Sequence, residues 1–140
     1  DQNAALKIAC GFGAGMGRKG EVCGAVTGGI MALGARYGRG ENEDRTATEA
    51  TYARTREFMN QFASQHDTCL CRELLNGCDL TTEEGQKTFR ENDLFNKVCK
   101  PCVQSAVEIV EKIMERGIEC PLSHERAFCI HDNDYSRSFA

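Results

Sequence analysis

The chain of 140 residues contains no tryptophan and only two prolines, and it has no long apolar run. A helix that crosses a bilayer needs roughly 20 consecutive apolar residues, so we expect no membrane span. Basic residues are not in excess either, because the net charge is −4 and the longest basic run is the pair Arg18-Lys19. Nucleic-acid binding needs a basic surface, often with stacking aromatic side chains, so we expect no nucleic-acid partner.

Two familiar kinds of catalytic or cofactor motif are also missing from the sequence. No paired acid and base and no Ser/His/Asp arrangement indicates a hydrolase. No Cys-x-x-Cys-His segment is present, so no c-type haem is expected to attach to this chain. The chemistry is therefore expected to come from another residue type.

Cysteine is the residue type in excess, with nine in the chain. Disulfide scaffolds usually have an even number of cysteines in a short, loop-rich secreted chain, whereas here the number is odd and helical patterns dominate. We therefore expect metal ligation or thiol redox chemistry in a reducing compartment. We therefore expect the cytoplasm, with the oxidising periplasm as the alternative if a signal peptide has been removed. Some cysteines are expected to be only small buried apolar side chains, Cys10 and Cys78 first.

The spacing of apolar residues predicts an all-α fold, a single-domain helical bundle with a glycine-rich loop at its redox site. The domain is expected to span residues 1–118, with an irregular tail over residues 119–140. Helices are predicted over residues 3–10, 23–37, 43–65, 71–75, 81–92 and 101–116. Thr81 is the predicted N-cap of the fifth helix, and Gly117 ends the last one. The apolar stripe predicted for the last helix consists of Val103, Ala106, Val107, Val110, Ile113 and Met114.

Three cysteines are predicted to lie at helix starts. Cys23 follows the glycine-rich segment, Cys71 opens a short helix, and Cys99 stands just before Pro101, a residue that favours the first helical position. The free N–H groups and the positive end of the helix dipole stabilise a thiolate there, so the pKa of each thiol is expected to be lowered. Together with a glycine backbone that can approach closely, these thiolates would form a metal or redox pocket. The loop positions singled out are Gly13, Gly15, Gly17 and Gly24.

Four segments in order resemble a known family. They are Phe-Gly-Ala-Gly-Met-Gly at residues 12–17, Glu-Val-Cys-Gly-Ala-Val-Thr-Gly at residues 21–28, Cys-Arg-Glu-Leu at residues 71–74 and Val-Cys at residues 98–99. Over residues 4–115 the chain resembles the redox-active protein family defined by a CGAxxG motif and further single cysteines. A similar domain occurs in split-Soret cytochromes, where it is associated with an iron–sulfur centre.

The resemblance implies that Cys23, Cys71 and Cys99 are metal ligands. It implies an iron–sulfur cluster, with [2Fe–2S] favoured and zinc as the alternative, and a redox partner protein. The family pattern has a further cysteine on a preceding helix, upstream of where this sequence begins. Its role is expected to belong to that upstream residue or to fall to Cys10, Cys69 or Cys102.

A second reading of the cysteines also stays open. Cys99-Lys100-Pro101-Cys102 has the spacing of a reversible dithiol, so thiol–disulfide exchange is an alternative function. The strand-helix-strand context that usually accompanies that motif is absent. If Cys102 takes no part, it is expected to be packed inside the helix.

The tail carries a possible second site of metal-compatible residue types, formed by Cys120, His124, Cys129 and His131. The spacings are looser than those of zinc sites, so a disulfide between Cys120 and Cys129, or idle thiols, is favoured over a second metal. The small-residue helix over residues 23–37 could pack within the chain or against another subunit, so a homodimer is also possible.

Overall fold

The computed structural model describes residues 1–116, and within them the predicted all-α, single-domain fold is confirmed. The helices are α1 Gln2–Ala9, α2 Gly24–Tyr37, α3 Arg45–His66, α4 Cys71–Leu74, α5 Glu83–Glu91 and α6 Lys100–Arg116. Among these residues no helix is both long enough and apolar enough to cross a bilayer. The helix end expected at Gly117 and the tail over residues 119–140 lie outside the described residues.

Helices α2, α3 and α6 pack on one another and form the main core. Phe58 and Phe62 of α3 are fully buried, together with Val26 and Leu33 of α2. Gly29 makes the close approach of α2 and α3 possible, because a Cβ atom there would lie 2.3 Å from Cζ of Phe58. The small residues of α2 therefore serve packing within the chain, since they bring a large aromatic side chain against the helix backbone.

The buried face of α6 differs from the predicted stripe. Ala106, Val110 and Ile113 are buried as expected, but Val103 and Val107 are half exposed. Cys102 and Ile109 take their place in the core. The face that packs against α2 and α3 is therefore rotated by about one position from the predicted face.

Helix α5 begins one residue later than predicted. The N-cap is Thr82, whose hydroxyl oxygen accepts a hydrogen bond from the Gly85 N–H at 3.0 Å. Thr81 instead uses its hydroxyl and its N–H to bind the carboxylate of Asp79. Either of the two adjacent threonines could cap this helix. Because Thr81 is hydrogen-bonded to Asp79 in the preceding turn, Thr82 is the residue that forms the cap.

The segment before α6 is helical, so Cys99 is not at a helix start as predicted. Phe95–Cys99 forms a π-helical turn that leads directly into α6, and the Lys100 N–H bonds to the Phe95 carbonyl five residues earlier. Pro101 has no N–H for the ordinary bond and its ring crowds the carbonyl four residues back, which favours a locally widened turn. The sequence signal of a proline at a helix start was therefore misleading here.

The glycine-rich segment turns back on itself in a left-handed conformation. Cys10–Phe12 forms a 3₁₀ turn, and residues 14 to 18 then all have positive φ, from Ala14 at 53° to Arg18 at 73°. Left-handed backbone costs an L-residue roughly 1–2 kcal/mol, so three non-glycine residues in this run store strain. Strain of this kind concentrates at functional sites.

Candidate functional site

A short backbone bridge places Cys23 beside Cys71. Val22 and Leu70 form an isolated antiparallel bridge, the Cys23 N–H donates to the Cys69 carbonyl at 2.9 Å, and the Cys71 N–H donates to the Glu21 carbonyl at 2.7 Å. The sequence has no alternating pattern of apolar residues that would predict the pairing of Val22 with Leu70, so the sequence analysis did not include it. It joins segments that are almost fifty residues apart and fixes the relative position of two predicted ligands.

Cys23 is the N-cap of α2, as its predicted position at the helix start requires. Its carbonyl accepts from the N–H groups of Val26 and Thr27, but its side chain makes no capping hydrogen bond. The thiol therefore remains available for other contacts. The first N–H groups of any helix lack partners within the helix, so the start of α2 presents backbone donors beside this sulfur.

The left-handed glycine segment comes close to Cys71. A Cβ atom at Gly15 would lie 2.5 Å from Cβ and 3.0 Å from Sγ of Cys71, and the Gly15 carbonyl accepts from the Glu21 N–H. Gly24 lies close to the Phe12 carbonyl, whereas Cβ atoms at Gly13 and Gly17 would meet nothing. Of the four loop glycines predicted for the site, Gly15 is therefore the one that contacts a predicted ligand.

Cys23, Cys71 and Cys99 line one cavity of about 500 Å³. Two arginines that sequence reasoning did not assign to the site, Arg18 and Arg90, also line it. The remaining wall is mostly apolar and comes from Ala14, Gly24, Ala25, Leu75, Leu80, Gln86, Phe89, Phe95 and Val103. The cavity thus combines soft thiol donors with two cationic side chains that suit a negatively charged occupant.

Two of the three thiols that line this cavity, those of Cys71 and Cys99, are harder to ionise than predicted. Burial first, and then the charges that Cys23, Cys99 and Cys78 would carry, raise the pKa of Cys71 from 9.0 to about 11. Burial and the charge of Cys23 likewise raise the pKa of Cys99. The expectation of lowered values was wrong for these two residues, because removal from water and mutual repulsion outweigh the effect of a helix start.

The other cysteines proposed as ligands do not line the cavity. Cys10 is exposed, which also contradicts its expected burial. Cys69 packs against the main core, where its thiol donates to the Met59 carbonyl at 3.7 Å, and burial followed by the charge of Cys23 raises its pKa. Cys78 is half buried and donates to the Gly85 carbonyl. Cys102 is only 1% exposed, so its side chain is packed inside the protein.

Cys102 is almost fully buried and, with His66 at the end of α3, borders a second cavity of about 480 Å³. Its Sγ is 3.9 Å from Nδ1 of His66. Burial first, and then the charges that Cys23, Cys99 and Cys71 would carry, raise its pKa to about 12. Cys102 is therefore a neutral thiol that is held inside the protein, unlike the reactive member of a dithiol pair.

The described residues do not bring together a ready-made site for one metal ion. Among residues 1–116, no three side chains of cysteine, histidine, aspartate or glutamate gather closely enough to hold one metal ion. The three thiols that line the cavity come from three separate segments of the chain. The possible second site of Cys120, His124, Cys129 and His131 lies outside the described residues.

A comparison with protein families matches residues 1–113 to the family described as "Putative redox-active protein (C_GCAxxG_C_C)". The chain belongs to this family. The resemblance first drawn from its motifs is thereby confirmed, and so is a redox role at the level of the family. In the redox-active family's description the motif reads GCAxxG, whereas this chain has Cys-Gly-Ala-x-x-Gly at residues 23–28. No curated protein and no solved structure matches the chain.

Proposed function

We propose that this member of the redox-active family holds an iron–sulfur cluster through the thiolates of Cys23, Cys71 and Cys99, and that it transfers electrons or senses redox state. The observation that carries the proposal is that these three cysteines, from distant parts of the chain, line the same cavity. Thiolates are soft ligands and select iron–sulfur clusters, zinc or cuprous ions. A [2Fe–2S] cluster is favoured, and the natural partner is a redox protein in a reducing compartment such as the cytoplasm.

The residues around the cavity have definable tasks in this function. Burial and the charges of neighbouring thiols raise the pKa values of Cys71 and Cys99, so binding of a metal to these two thiols would displace protons. When bound, an iron–sulfur cluster supplies one-electron redox chemistry. Arg18 and Arg90 would offset its negative charge, and the apolar wall would limit access of water. The start of α2 adds backbone N–H groups beside the Cys23 sulfur.

The geometry bears differently on the two alternative functions. Thiol–disulfide exchange needs an accessible thiol pair, but Cys102 is buried and only Cys99 of that pair lines the cavity. A zinc-stabilised module would use the same three cavity thiols, so its metal content distinguishes it from the proposal. Both remain outcomes of the test below.

Analysis of anaerobically purified protein tests the proposal. We expect iron and acid-labile sulfide in equal amounts, and visible charge-transfer absorption that bleaches on reduction with dithionite. Zinc in place of iron would indicate the zinc-stabilised module. A colourless, metal-free protein with a reversible two-electron thiol couple would indicate thiol–disulfide exchange. Either of these two results would contradict the proposal.

A further inference from the structure

An apolar groove of about 420 Å³ runs along the protein surface between α2 and α6. Its α6 side includes Val103 and Val107, which are 51% and 50% exposed although both side chains are apolar. Its α2 side consists of glycines and alanines, which leave room for another helix backbone to approach closely. Within the part of the chain that the structure describes, this groove is an apolar surface without a partner.

Gly28 lines the groove and serves no packing contact among residues 1–116. A Cβ atom at the neighbouring Gly29 would collide with Phe58, but a Cβ atom at Gly28 would meet nothing within 4 Å. Glycine destabilises the interior of a helix relative to alanine, and no contact of Gly28 within these residues offsets that cost. A glycine here is explained by an occupant that comes close to the backbone of α2.

Helix α1 is a second apolar surface without a partner. None of its residues is buried, and Leu6 and Ile8 are 65% and 67% exposed. At 3.6 residues per turn, Ala5 and Ala9 lie between these two side chains, so one side of α1 is apolar with small residues at its centre. In its own chain α1 contacts the 3₁₀ turn that follows it and does not line the groove.

The length and the charge of α1 match those of the groove. The eight residues of α1 span about 12 Å, and the α6 side of the groove spans about 16 Å from Val103 to Met114. Lys7 is the basic residue of α1 and borders the Leu6 edge of its apolar side. The groove lining contributed by residues 1–116 carries one charged side chain, that of Glu111. The two surfaces are therefore complementary in charge as well as apolar.

We propose that two copies of this chain form a symmetric dimer in which α1 of each copy lies in the groove between α2 and α6 of the other. Lys7 of one copy then pairs with Glu111 of the other, and the symmetry repeats this contact, which doubles the apolar area that is buried. Gly24, Ala25 and Val103 line both the groove and the cysteine cavity, so α1 of the second copy also borders that cavity. The dimer does not depend on the proposed iron–sulfur function.

Sedimentation velocity over a range of protein concentrations, with the thiols kept reduced, measures the dimer. Leu6→Glu places a charge on the apolar side of α1, and Gly28→Leu fills the groove from a Cβ position that is open within residues 1–116. Gly34→Leu is the matched control on the same helix, because a Cβ atom there is equally open and Gly34 does not line the groove. Tyr52→Glu is the control for Leu6→Glu, since Tyr52 is 56% exposed on α3 and lies outside the groove. Far-UV circular dichroism shows that each variant is folded.

We expect the parent protein to dimerise with a Kd in the micromolar range. Leu6→Glu and Gly28→Leu should each raise this Kd about tenfold or more, and the two control variants should match the parent protein. A parent protein that is monomeric at about 1 mM overturns the inference, and the groove would then be covered by another segment of the same chain or by a different protein. A dimer that is unaffected by Leu6→Glu and Gly28→Leu also overturns it, because its interface would lie elsewhere.

Reversal of the two charges identifies which surfaces meet. Lys7→Glu and Glu111→Lys should each raise the Kd about tenfold, because like charges would face each other at both contacts of the dimer. When both substitutions are combined in one chain, opposite charges meet again, and the Kd should return close to the parent value. A combined variant that dimerises no better than the single variants would contradict the placement of α1 in the groove.

Discussion

At the scale of single residues, Gly15 controls how closely the left-handed segment approaches a predicted ligand. Its φ is +68°, and a Cβ atom there would collide with the Cys71 side chain. We expect Gly15→Ala to lower the free energy of unfolding by about 2–4 kcal/mol, from left-handed strain together with overpacking. It should also displace Cys71 and reduce the iron content. Chemical denaturation and metal analysis of the purified variant measure both effects.

Gly11→Ala is the matched control for this change. Gly11 lies in the same glycine-rich segment, but its φ is not positive and a Cβ atom would meet nothing within 4 Å. The stability and iron content of the Gly11→Ala variant should therefore equal those of the parent protein. If Gly15→Ala and Gly11→Ala changed the free energy of unfolding and the iron content equally, the loss of any glycine in this segment would explain the result. The proposed importance of the contact between Gly15 and Cys71 would then be contradicted.

The same scale shows what the sequence could predict about the site. The identity of Cys23, Cys71 and Cys99 as candidates came from motif order and family resemblance, and the structure brings them to one cavity. The ionisation of Cys71 and Cys99 was predicted in the wrong direction. Burial and repulsion between thiols depend on neighbours distant in sequence, so a local helix-start argument could not include them.

At the scale of the elements, the π turn decides where the Cys99 side chain lies. One extra residue in a helical turn shifts all preceding side chains by about 100° relative to a regular helix. Pro101→Ala supplies the missing N–H and removes the ring, so we expect the segment before α6 to relax towards regular α-helical hydrogen bonding. Cys99 would then turn away from the cavity.

The expected result for Pro101→Ala is an unchanged or increased thermal stability with a several-fold lower iron content. Lys100→Ala is the control, since it changes an adjacent exposed side chain and leaves the proline in place. Full iron content in Pro101→Ala would mean that the π turn has no part in placing Cys99.

The connection between α4 and α5 contains a carboxylate that links stability to pH. The hydroxyl and N–H of Thr81, and then Arg72, hold the pKa of Asp79 below its ordinary value of 3.8. Its stabilising contribution is therefore complete above about pH 4 and is lost as the pH falls through the lowered value, because the unfolded chain binds the proton first. We expect the parent protein to lose stability more steeply than Asp79→Asn between pH 4 and 2 in urea titrations. Parallel curves for the two proteins would show that Asp79 makes no such contribution.

Element boundaries were predictable where the signal was local. The ends of α2 and α3 follow from periodicity and from the break at residues 38–42, and the structure agrees within two residues. The cap of α5 and the start of α6 were displaced, because Asp79 competes for Thr81 and because the helical backbone continues through the residues before Pro101. The positions of these two helix starts depend on one side-chain hydrogen bond and on the hydrogen-bond register of the preceding turn. A pattern of apolar residues carries no information about either of them.

At the scale of the whole molecule, the cavity lies where two apolar clusters meet. Cys23 packs against the core of α2, α3 and α6, whereas Cys71 and Cys99 belong to a smaller cluster around Leu75 and Leu80. Cys23 therefore reaches the cavity from one cluster, and Cys71 and Cys99 reach it from the other. The all-α fold was predictable from periodicity, but this junction depends on the bridge between Val22 and Leu70, which no sequence pattern revealed.

The most direct test of the central claim is the iron occupancy of Cys→Ser variants purified without air. If Cys23, Cys71 and Cys99 share one centre, each of the three substitutions should abolish or change the same visible and electron paramagnetic resonance spectrum. Cys10→Ser and Cys69→Ser should retain the parent spectrum and iron content. Full iron content and an unchanged spectrum in any one of the first three variants would contradict the shared centre.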